Sequence, residues 1–263
     1  MMKLGTTAVL ILLLIQQTAV EAANCMQCAT RNYCNNYSSP QQLPQIKRKS
    51  FLWRASLERG TGVASSYEQS IFHIICDDEH ITPPKDEVKK FAREIFSNYP
   101  QFLQMPSLTL GLCRAVQSSK TTCNLRSSIL PVDALIFGKP RVVPVKPSFI
   151  CEGGEVLCCV EIPIVGGLLA SLSTKTADNG CLRFTWIQIN NQNRQQATRN
   201  IILITEIAKN YRPSLAGSQA PIPSWRSVMY CSTQRMLHAY VMWRFHGFVM
   251  DEYRRKLVSW SVD

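Results

Sequence analysis

The stretch that decides the fold is residues 182–189, which read LRFTWIQI. Leu182, Phe184 and Trp186 alternate there with the polar residues Arg183 and Thr185. Successive side chains of a strand point to opposite faces of a sheet, so this alternation predicts a strand with one buried and one solvated face. Strands of this kind are typical of antiparallel sheets, and the stretch indicates a β-rich fold around it.

Neighbouring segments extend this pattern. Residues 149–151, 156–164 and 201–207 are rich in β-branched and aromatic residues and are separated by Gly or Asn/Gln turns. Residues 237–245 also place apolar side chains at every second position. Tyr240 interrupts that alternation, so a helix is the alternative there, but the pattern favours a further strand.

Tryptophans are the largest candidates for core or interface positions in this part of the chain. Trp186 and Trp243 fall on the apolar faces of predicted strands, so we expect both in the core. The other two candidates are Trp225 and Trp260.

One amphipathic helix is predicted at about residues 83–98. Thr82 can cap its N-terminus, and the two prolines that follow are tolerated in a first turn. Lysines and an arginine occupy one side of the segment, which leaves the other side apolar. The apolar positions are Val88, Phe91, Ala92, Ile95 and Phe96.

These patterns predict an α+β chain that is mostly antiparallel β in its C-terminal part. Five prolines between residues 105 and 147 limit that segment to short regular elements. We divide the chain into a signal peptide at 1–22, a cysteine-containing N-terminal region with one helix at 23–145, and a β-rich, disulfide-stabilised domain at 146–263.

The N-terminus has the layout of a secretory signal peptide. A basic start precedes the apolar run at residues 8–15, and Val20 and Ala22 supply small residues before a cut after position 22. The run is shorter than the roughly 20 residues that span a bilayer, so no transmembrane anchor is predicted. We expect a secreted, extracellular glycoprotein, with Asn36 of an Asn-Tyr-Ser sequon as the glycosylation site.

All eleven cysteines follow the predicted cut. Thiols pair in an oxidising compartment, so we expect a disulfide framework whose connectivity the spacing does not assign. Because eleven is odd, one thiol is left over in each chain, and a disulfide-linked homodimer is one way to use it. The disulfide candidates are Cys25, Cys28, Cys34, Cys76, Cys113, Cys123, Cys151, Cys158, Cys159, Cys181 and Cys231.

The chain is basic, with 29 lysines and arginines against 18 acidic residues, which gives a net charge of +11. Such a surplus favours partners with negative surfaces. Lys47, Arg48 and Lys49 form a tribasic run with three open interpretations: a processing site for a proprotein convertase, a patch for an acidic glycan or lipid, or a solvated loop. The basic residues are otherwise scattered, so nucleic acid is not a predicted partner.

Catalytic motifs are scarce. The sequence has no Gly-x-Ser-x-Gly elbow and no His-Glu-x-x-His helix, and no catalytic residue is assigned. Residues 76–80 gather several metal-ligand types, but adjacent side chains diverge, so neither a metal nor a cofactor is predicted. An enzyme would have to use Asp78, Glu79 or His80 beside a cleft, and we expect His238 and His246 in surface or packing positions.

Three short motifs occur in order in the last hundred residues. They are Cys159 to Pro163, Thr185 to Asn190, and Pro223 to Trp225 followed by Cys231 to Gln234. They resemble the Cys-to-Pro, Trp-x-x-Ile-Val-Asn and Cys-x-Gln strands of the spätzle-type cystine-knot cytokines, which activate Toll receptors. No cysteine follows Cys231, so the family's closing Cys-Cys-x-Cys has no counterpart. The resemblance implies a processed, cytokine-like ligand of a cell-surface receptor.

The sequence therefore predicts a secreted, non-enzymatic ligand or binding protein that acts on a receptor or another extracellular protein. Two other classes stay open. One is a secreted, hydrolase-like enzyme of unfamiliar type, and the other is an extracellular structural protein cross-linked through its odd cysteine.

Overall fold

The protein has a mostly β, α+β fold. The computed structural model describes residues 44–75, 83–105, 108, 113–119, 121–128, 132–144, 154–170, 180–190, 198–214, 221–232 and 234–260. The strands are β1 (Gln45–Leu57), β2 (Ala64–Ile75), β3 (Cys113–Gln117), β4 (Cys123–Ser127), β5 (Asp133–Phe137), β6 (Arg141–Val142), β7 (Gly154–Gly166), β8 (Cys181–Asn190) and β9 (Thr198–Ala208). The helices are α1 (Lys85–Ser97), α2 (Tyr99–Phe102), α3 (Ser224–Ser232) and α4 (Gln234–Trp260).

The described strands form one antiparallel sheet in the order β1-β2-β9-β8-β7-β5-β4-β3, and β6 pairs with β7 beside this path. β2 lies against β9, so a hairpin from the predicted N-terminal region joins a strand from the predicted C-terminal domain. The sheet is thus continuous across the predicted boundary, which itself lies outside the described residues.

The predicted strands at 156–164, 182–189 and 201–207 are confirmed as β7, β8 and β9. The predicted segment at 149–151 lies outside the described residues. The alternation in LRFTWIQI has the expected effect, because Phe184 and Trp186 are fully buried on one face of the sheet. We call this face, which the helices cover, the inner face, and the opposite one the outer face.

The predicted amphipathic helix is confirmed as α1. Its buried residues are Val88, Phe91, Ala92, Ile95 and Phe96, the five positions of the predicted apolar stripe. Pro84 precedes the first turn, and the backbone N–H of Asn98 bonds to the Glu94 carbonyl where the helix ends. The stripe packs on β8, with the Phe96 and Phe184 rings stacked at 5.4 Å.

The predicted strand at residues 237–245 is wrong, because this segment lies within the 27-residue helix α4. Its buried side chains follow a helical spacing that continues beyond residue 245, with Met242, Phe245, Val249, Tyr253 and Leu257 on the side that faces the core. Most sides of this helix are at least partly buried, so apolar residues also occur at every second position. Trp243, predicted to be a core residue, is therefore only half-buried, whereas Trp186 is confirmed in the core.

An aromatic cluster joins α1, α4 and the inner face. The ring centres of Phe245 and Phe184 lie 5.3 Å apart at an interplanar angle of 64°, and those of Tyr253 and Trp186 lie 5.1 Å apart at 69°. Edge-to-face contacts of this kind are favourable because the ring edge is positive and the ring face negative. The cluster fixes α4 over the middle of the sheet and so determines which α4 side chains meet β2 and β9.

Candidate functional site

The inner face of β2 carries polar side chains, whereas the buried residues on the inner face of β8 are apolar. Ser66, Glu68 and Ser70 occupy alternate positions and are 7%, 1% and 0% exposed. Thr205 of β9 lies opposite Glu68 in the antiparallel register and is also fully buried. Buried polar groups are stable only when they are hydrogen-bonded, so these side chains require partners from the helix above them.

His246 of α4 provides two of these bonds. Its Nδ1 atom lies 2.8 Å from the Ser70 hydroxyl, and its Nε2 atom lies 2.9 Å from the Thr205 hydroxyl. Burial lowers the pKa of His246 well below its ordinary value, and the positive charge of Arg48 acts in the same direction. The ring is therefore neutral at physiological pH, with one nitrogen donating and the other accepting, and each hydroxyl can fill the complementary role.

His238, two turns earlier on α4, provides the partner for the buried carboxylate. Its Nδ1 atom lies 3.0 Å from Glu68 Oε1. The Ser66 hydroxyl donates to the other carboxylate oxygen across a longer distance of 3.4 Å. We call this line of side chains the polar seam; its members are Ser66, Glu68, Ser70, Thr205, His238 and His246.

The polar seam contains the residue types of a hydrolase but divides them between two histidines. Ser70 and His246 have the distance of a nucleophile and its base. In a catalytic triad the second nitrogen of the base bonds to a carboxylate that orients the ring. Here His246 Nε2 bonds to the Thr205 hydroxyl, and the buried carboxylate of Glu68 bonds to His238. Ser70 and His246 are 0% and 1% exposed, so a substrate cannot reach them in this conformation. The middle of the polar seam acts as an interior network that positions α4.

The end of the polar seam at the start of α4 keeps unpaired polar atoms. Gln234 Oε1, Arg235 Nε and His238 Nε2 are buried and have no hydrogen-bond partner among the described residues. The Gln234 amide donates to the Tyr211 hydroxyl at 3.2 Å, and the Arg235 guanidinium lies 4.6 Å from the centre of the Trp53 ring. This end of the polar seam therefore keeps capacity for further hydrogen bonding.

A second polar cluster is buried on the outer face, around Glu161 of β7. Its carboxylate is 4% exposed and accepts bonds from Arg141 at 2.9 Å and Arg183 at 2.7 Å, with Lys209 at 3.5 Å. Burial alone would raise the pKa of Glu161, but the bonds from Arg183 and Arg141 outweigh it and lower that pKa. Burial raises the pKa of the neighbouring Glu206, against the effect of Arg183. We call Glu161 with its three cations the outer network.

The six described cysteines carry free thiols: Cys113, Cys123, Cys158, Cys159, Cys181 and Cys231. Cys158 and Cys159 are adjacent in β7 and point to opposite faces, so they are not placed to pair with each other. Burial raises the pKa of the Cys158 thiol to about 11, which keeps it protonated and unreactive at neutral pH. The other five candidates, Cys25, Cys28, Cys34, Cys76 and Cys151, lie outside the described residues. The disulfide framework stays a prediction.

The tribasic run forms part of β1, a paired strand, and does not form a loop. Lys47 and Arg48 pair with His73 and Phe72 of β2, and Lys49 lies at a bulge. Arg48 points to the inner face, where its Nη2 donates to the Trp243 carbonyl at 2.6 Å and its guanidinium covers the rings of Phe72 and Trp243 at 5.0 Å. Cleavage here stays a prediction, and it would require this part of β1 to leave the sheet.

The remaining predicted positions are mostly outside the described residues. Asn36, Asp78, Glu79 and His80 belong to this group. His73 is described, and its Nδ1 lies 2.9 Å from Asn200 Oδ1 on the outer face. Among the described residues no group of histidine, cysteine or acidic side chains could hold a metal ion. His246, expected in a surface or packing position, is buried and lies within hydrogen-bond distance of two hydroxyls.

The three motifs of the cytokine resemblance fall in different elements. Residues 159–163 and 185–190 lie in the neighbouring strands β7 and β8. Cys231 lies near the end of α3 and Gln234 begins α4, where the resemblance implies a strand.

Sequence reasoning missed Glu68, Ser70 and Thr205. Glu68 and Ser70 have the spacing of one face of β2, but these polar residues lie on the buried side, where apolar residues are usual, and Thr205 lies on the neighbouring strand β9. Phe72 and Ile74 continue the face of β2 that carries Glu68 and Ser70, and both are nearly fully buried. These two apolar residues are the sequence signal that this face is buried.

Comparisons with known proteins supply no family. No protein-family model matches the chain, and no curated protein matches it. A solved structure described as "Crystal structure of Ara h 8.0201" is similar at 9% identity and a TM-score of 0.24, over 79% of this chain and 99% of that one. A similarity of this size carries no inference. Among the described helices, none is long and apolar enough to cross a membrane.

Proposed function

We propose that the protein is a secreted, non-enzymatic binding protein that acts on a negatively charged surface of a receptor or another extracellular protein. The observation that carries the proposal is the set of cations along β1. Lys47, Lys49 and Arg54 are exposed, and none of them pairs with a carboxylate among the described residues. Unpaired surface cations steer anionic partners and leave the charge of the site available for binding.

The position of β1 adds a second way to bind. Within the described sheet it pairs with β2 alone, so it forms an edge strand of 13 residues. An extended segment of a partner can add to such an edge through backbone hydrogen bonds. The exposed lysines would favour acidic residues in that segment and disfavour pairing with a second copy of this basic strand.

The polar seam supports a non-enzymatic role. Ser70, the hydroxyl nearest to a base, is fully buried, and its base His246 is saturated by two hydroxyls. The proposal includes the signal cut after Ala22, glycosylation at Asn36 and disulfide stabilisation of the exported chain. Processing at residues 47–49 stays a separate prediction, because a cut there would divide β1 and the cations on which this proposal rests.

The intact mass of the protein recovered from the medium of expressing animal cells, before and after reduction, tests the secretory part of the proposal. We expect a chain that lacks residues 1–22 and carries a glycan on Asn36, with a mass or mobility that changes on reduction. Retention of the full-length chain inside the cells would contradict secretion.

A charge-matched pair of variants tests the binding part. We expect the Lys47→Gln, Lys49→Gln, Arg54→Gln triple variant to bind about tenfold more weakly to cells that bind the unmodified protein. The reason is the loss of three positive charges that attract an anionic partner. The control removes three exposed cations of α1 by Lys85→Gln, Lys90→Gln and Arg93→Gln, and it should bind like the unmodified protein. Equal losses in both variants would show that only the total charge matters. Loss of binding after removal of cell-surface sulfated glycans would identify an acidic glycan as the partner.

One observation favours a hydrolase-like enzyme as the second candidate. His238 Nδ1 is held by Glu68, and its Nε2 atom has no partner among the described residues, which is how a general base is prepared. Because this Nε2 atom is buried, a substrate would reach it only if the start of α4 opened. A panel of ester and peptide substrates with the unmodified protein and the His238→Gln variant tests this candidate. Hydrolysis that His238→Gln abolishes would support the enzyme over the binding protein.

A further inference from the structure

The helix α3 presents an apolar face to solvent. Trp225 and Val228 are 59% and 65% exposed and lie one turn apart on the same side of the helix. Tyr230, on the opposite side, is 2% exposed and anchors α3 to the core. Single exposed apolar residues are ordinary, but tryptophan is on average a highly buried residue, so this pair is unusual.

The helix α3 is held to the rest of the protein at its start and on its inner side. The segment before α3 is fixed by the backbone N–H of Ile222, which donates to the Arg59 carbonyl at 2.8 Å. Ile222 is itself 1% exposed and approaches Gly62 in the turn between β1 and β2. The indole of Trp225 is therefore exposed from a helix anchored at both its start and its inner side.

Two arginines flank the apolar pair. The Arg226 guanidinium lies 5.1 Å from the centre of the Trp225 ring, and Arg59 Nη2 donates to the Ser224 hydroxyl at 2.9 Å. Neither arginine forms an ion pair with a carboxylate of the described residues. Glu58, next to Arg59, instead accepts a bond from the Thr61 hydroxyl. We call Arg59, Trp225, Arg226 and Val228 the α3 face.

We infer that the α3 face docks onto an anionic lipid surface, a binding site beyond the proposed function, which assigns an extracellular protein to β1. Indole rings favour the boundary between lipid headgroups and acyl chains, where an apolar body and a polar N–H are both satisfied. Val228 adds apolar area that inserts beside the ring, and the arginines attract anionic headgroups. A sulfated glycan would use the arginines but would leave Trp225 and Val228 in water, so lipid fits the whole face better.

Sedimentation with phosphatidylcholine vesicles, with and without phosphatidylserine, tests this inference on the full secreted chain. We expect binding only when phosphatidylserine is present, together with a blue shift of tryptophan emission. The Trp225→Ser, Val228→Ser double variant should bind at least about tenfold more weakly, because the inserted apolar area is lost. The control is Val142→Ser, which removes a 52% exposed apolar side chain on β6, and it should bind as the unmodified protein does.

The arginines provide a separate readout. Arg59→Gln and Arg226→Gln should each weaken binding about fivefold, and added salt should weaken the unmodified protein more than the double arginine variant. Circular dichroism identifies any variant that fails to fold, and Trp225→Phe, which keeps an aromatic ring, should retain most of the binding. Binding that ignores Trp225 and Val228, or binding to heparin beads without binding to vesicles, would overturn the inference.

Discussion

The two faces of the sheet bury polar side chains by different means. On the inner face the polar seam holds His246 as a neutral ring between Ser70 and Thr205. On the outer face Glu161 stays ionised among Arg141, Arg183 and Lys209, which lie at the protein surface. The arrangement around His246 depends on its hydrogen bonds, because the loss of one partner leaves a buried polar group unpaired. The outer arrangement depends on charge, and water can replace part of it.

The largest expected effect is on the inner face. His246→Leu keeps a buried side chain of comparable bulk but leaves the Ser70 and Thr205 hydroxyls without their partner. We expect the free energy of unfolding to fall by about 2–4 kcal/mol, measured by urea denaturation, because each orphaned hydroxyl costs about 1–3 kcal/mol. Adding Ser70→Ala and Thr205→Val to His246→Leu removes the orphans and should restore most of the stability. A triple variant no more stable than His246→Leu would contradict the hydrogen-bond explanation.

A smaller effect is expected on the outer face. Glu161→Gln removes the charge but keeps the shape, and its cations can turn to solvent, so we expect a loss of about 1–2 kcal/mol. The matched control is Glu155→Gln, because Glu155 lies on the same strand as Glu161 and pairs with Lys85 of α1, but is 46% exposed. That control should change stability by less than about 0.5 kcal/mol. Equal losses at the two positions would show that burial does not distinguish the outer network from a surface pair.

The smallest effect is a pH dependence that separates the two faces. The folded pKa of His246 lies below the value of about 6.5 in the unfolded chain, so the unfolded state binds more protons as the pH falls. The contribution of His246 is therefore complete above about pH 6.5 and is lost below it, by about 1 kcal/mol between pH 6.5 and 5.5. The difference in stability between the unmodified protein and His246→Leu should narrow over this interval. The difference for Glu161→Gln should stay constant there, because the lowered pKa of Glu161 places its loss at more acid pH. A constant difference for His246→Leu would exclude a neutral buried ring.

The sequence patterns predicted those elements in which apolar residues are buried and polar residues face the other side. In α1 the five apolar positions are the five buried ones, and in β8 the alternation of Phe184 and Trp186 with polar residues is the alternation of buried and outer side chains. Each element has one apolar side and one polar side, so its period can be read directly.

The polar seam explains why β2 escaped prediction. On β2 the inner face carries the polar residues Ser66, Glu68 and Ser70, and the outer face carries Tyr67 and Ile71. Over half of the strand the polar residues are therefore buried, which is the reverse of the usual pattern. α4 was misread because its partly buried residues surround most of the helix. In both cases the missing information is long-range, since the partners of β2 lie on β9 and α4.

The hydrogen bond between Arg48 and the Trp243 carbonyl joins positions 195 residues apart. It can form only after α4 has been synthesised. The hairpin of β1 and β2 leaves the ribosome early, while its neighbours β9 and α4 are synthesised late. Until then Glu68, Ser70 and the Arg48 guanidinium lack the partners that α4 supplies, which are His238, His246 and the Trp243 carbonyl. A nascent chain that stops before residue 234 lacks the helix whose side chains bond to the polar face of this hairpin. Synthesis of α4 and closure of the polar seam are thus coupled, because β1 and β2 obtain these partners only once α4 has been made.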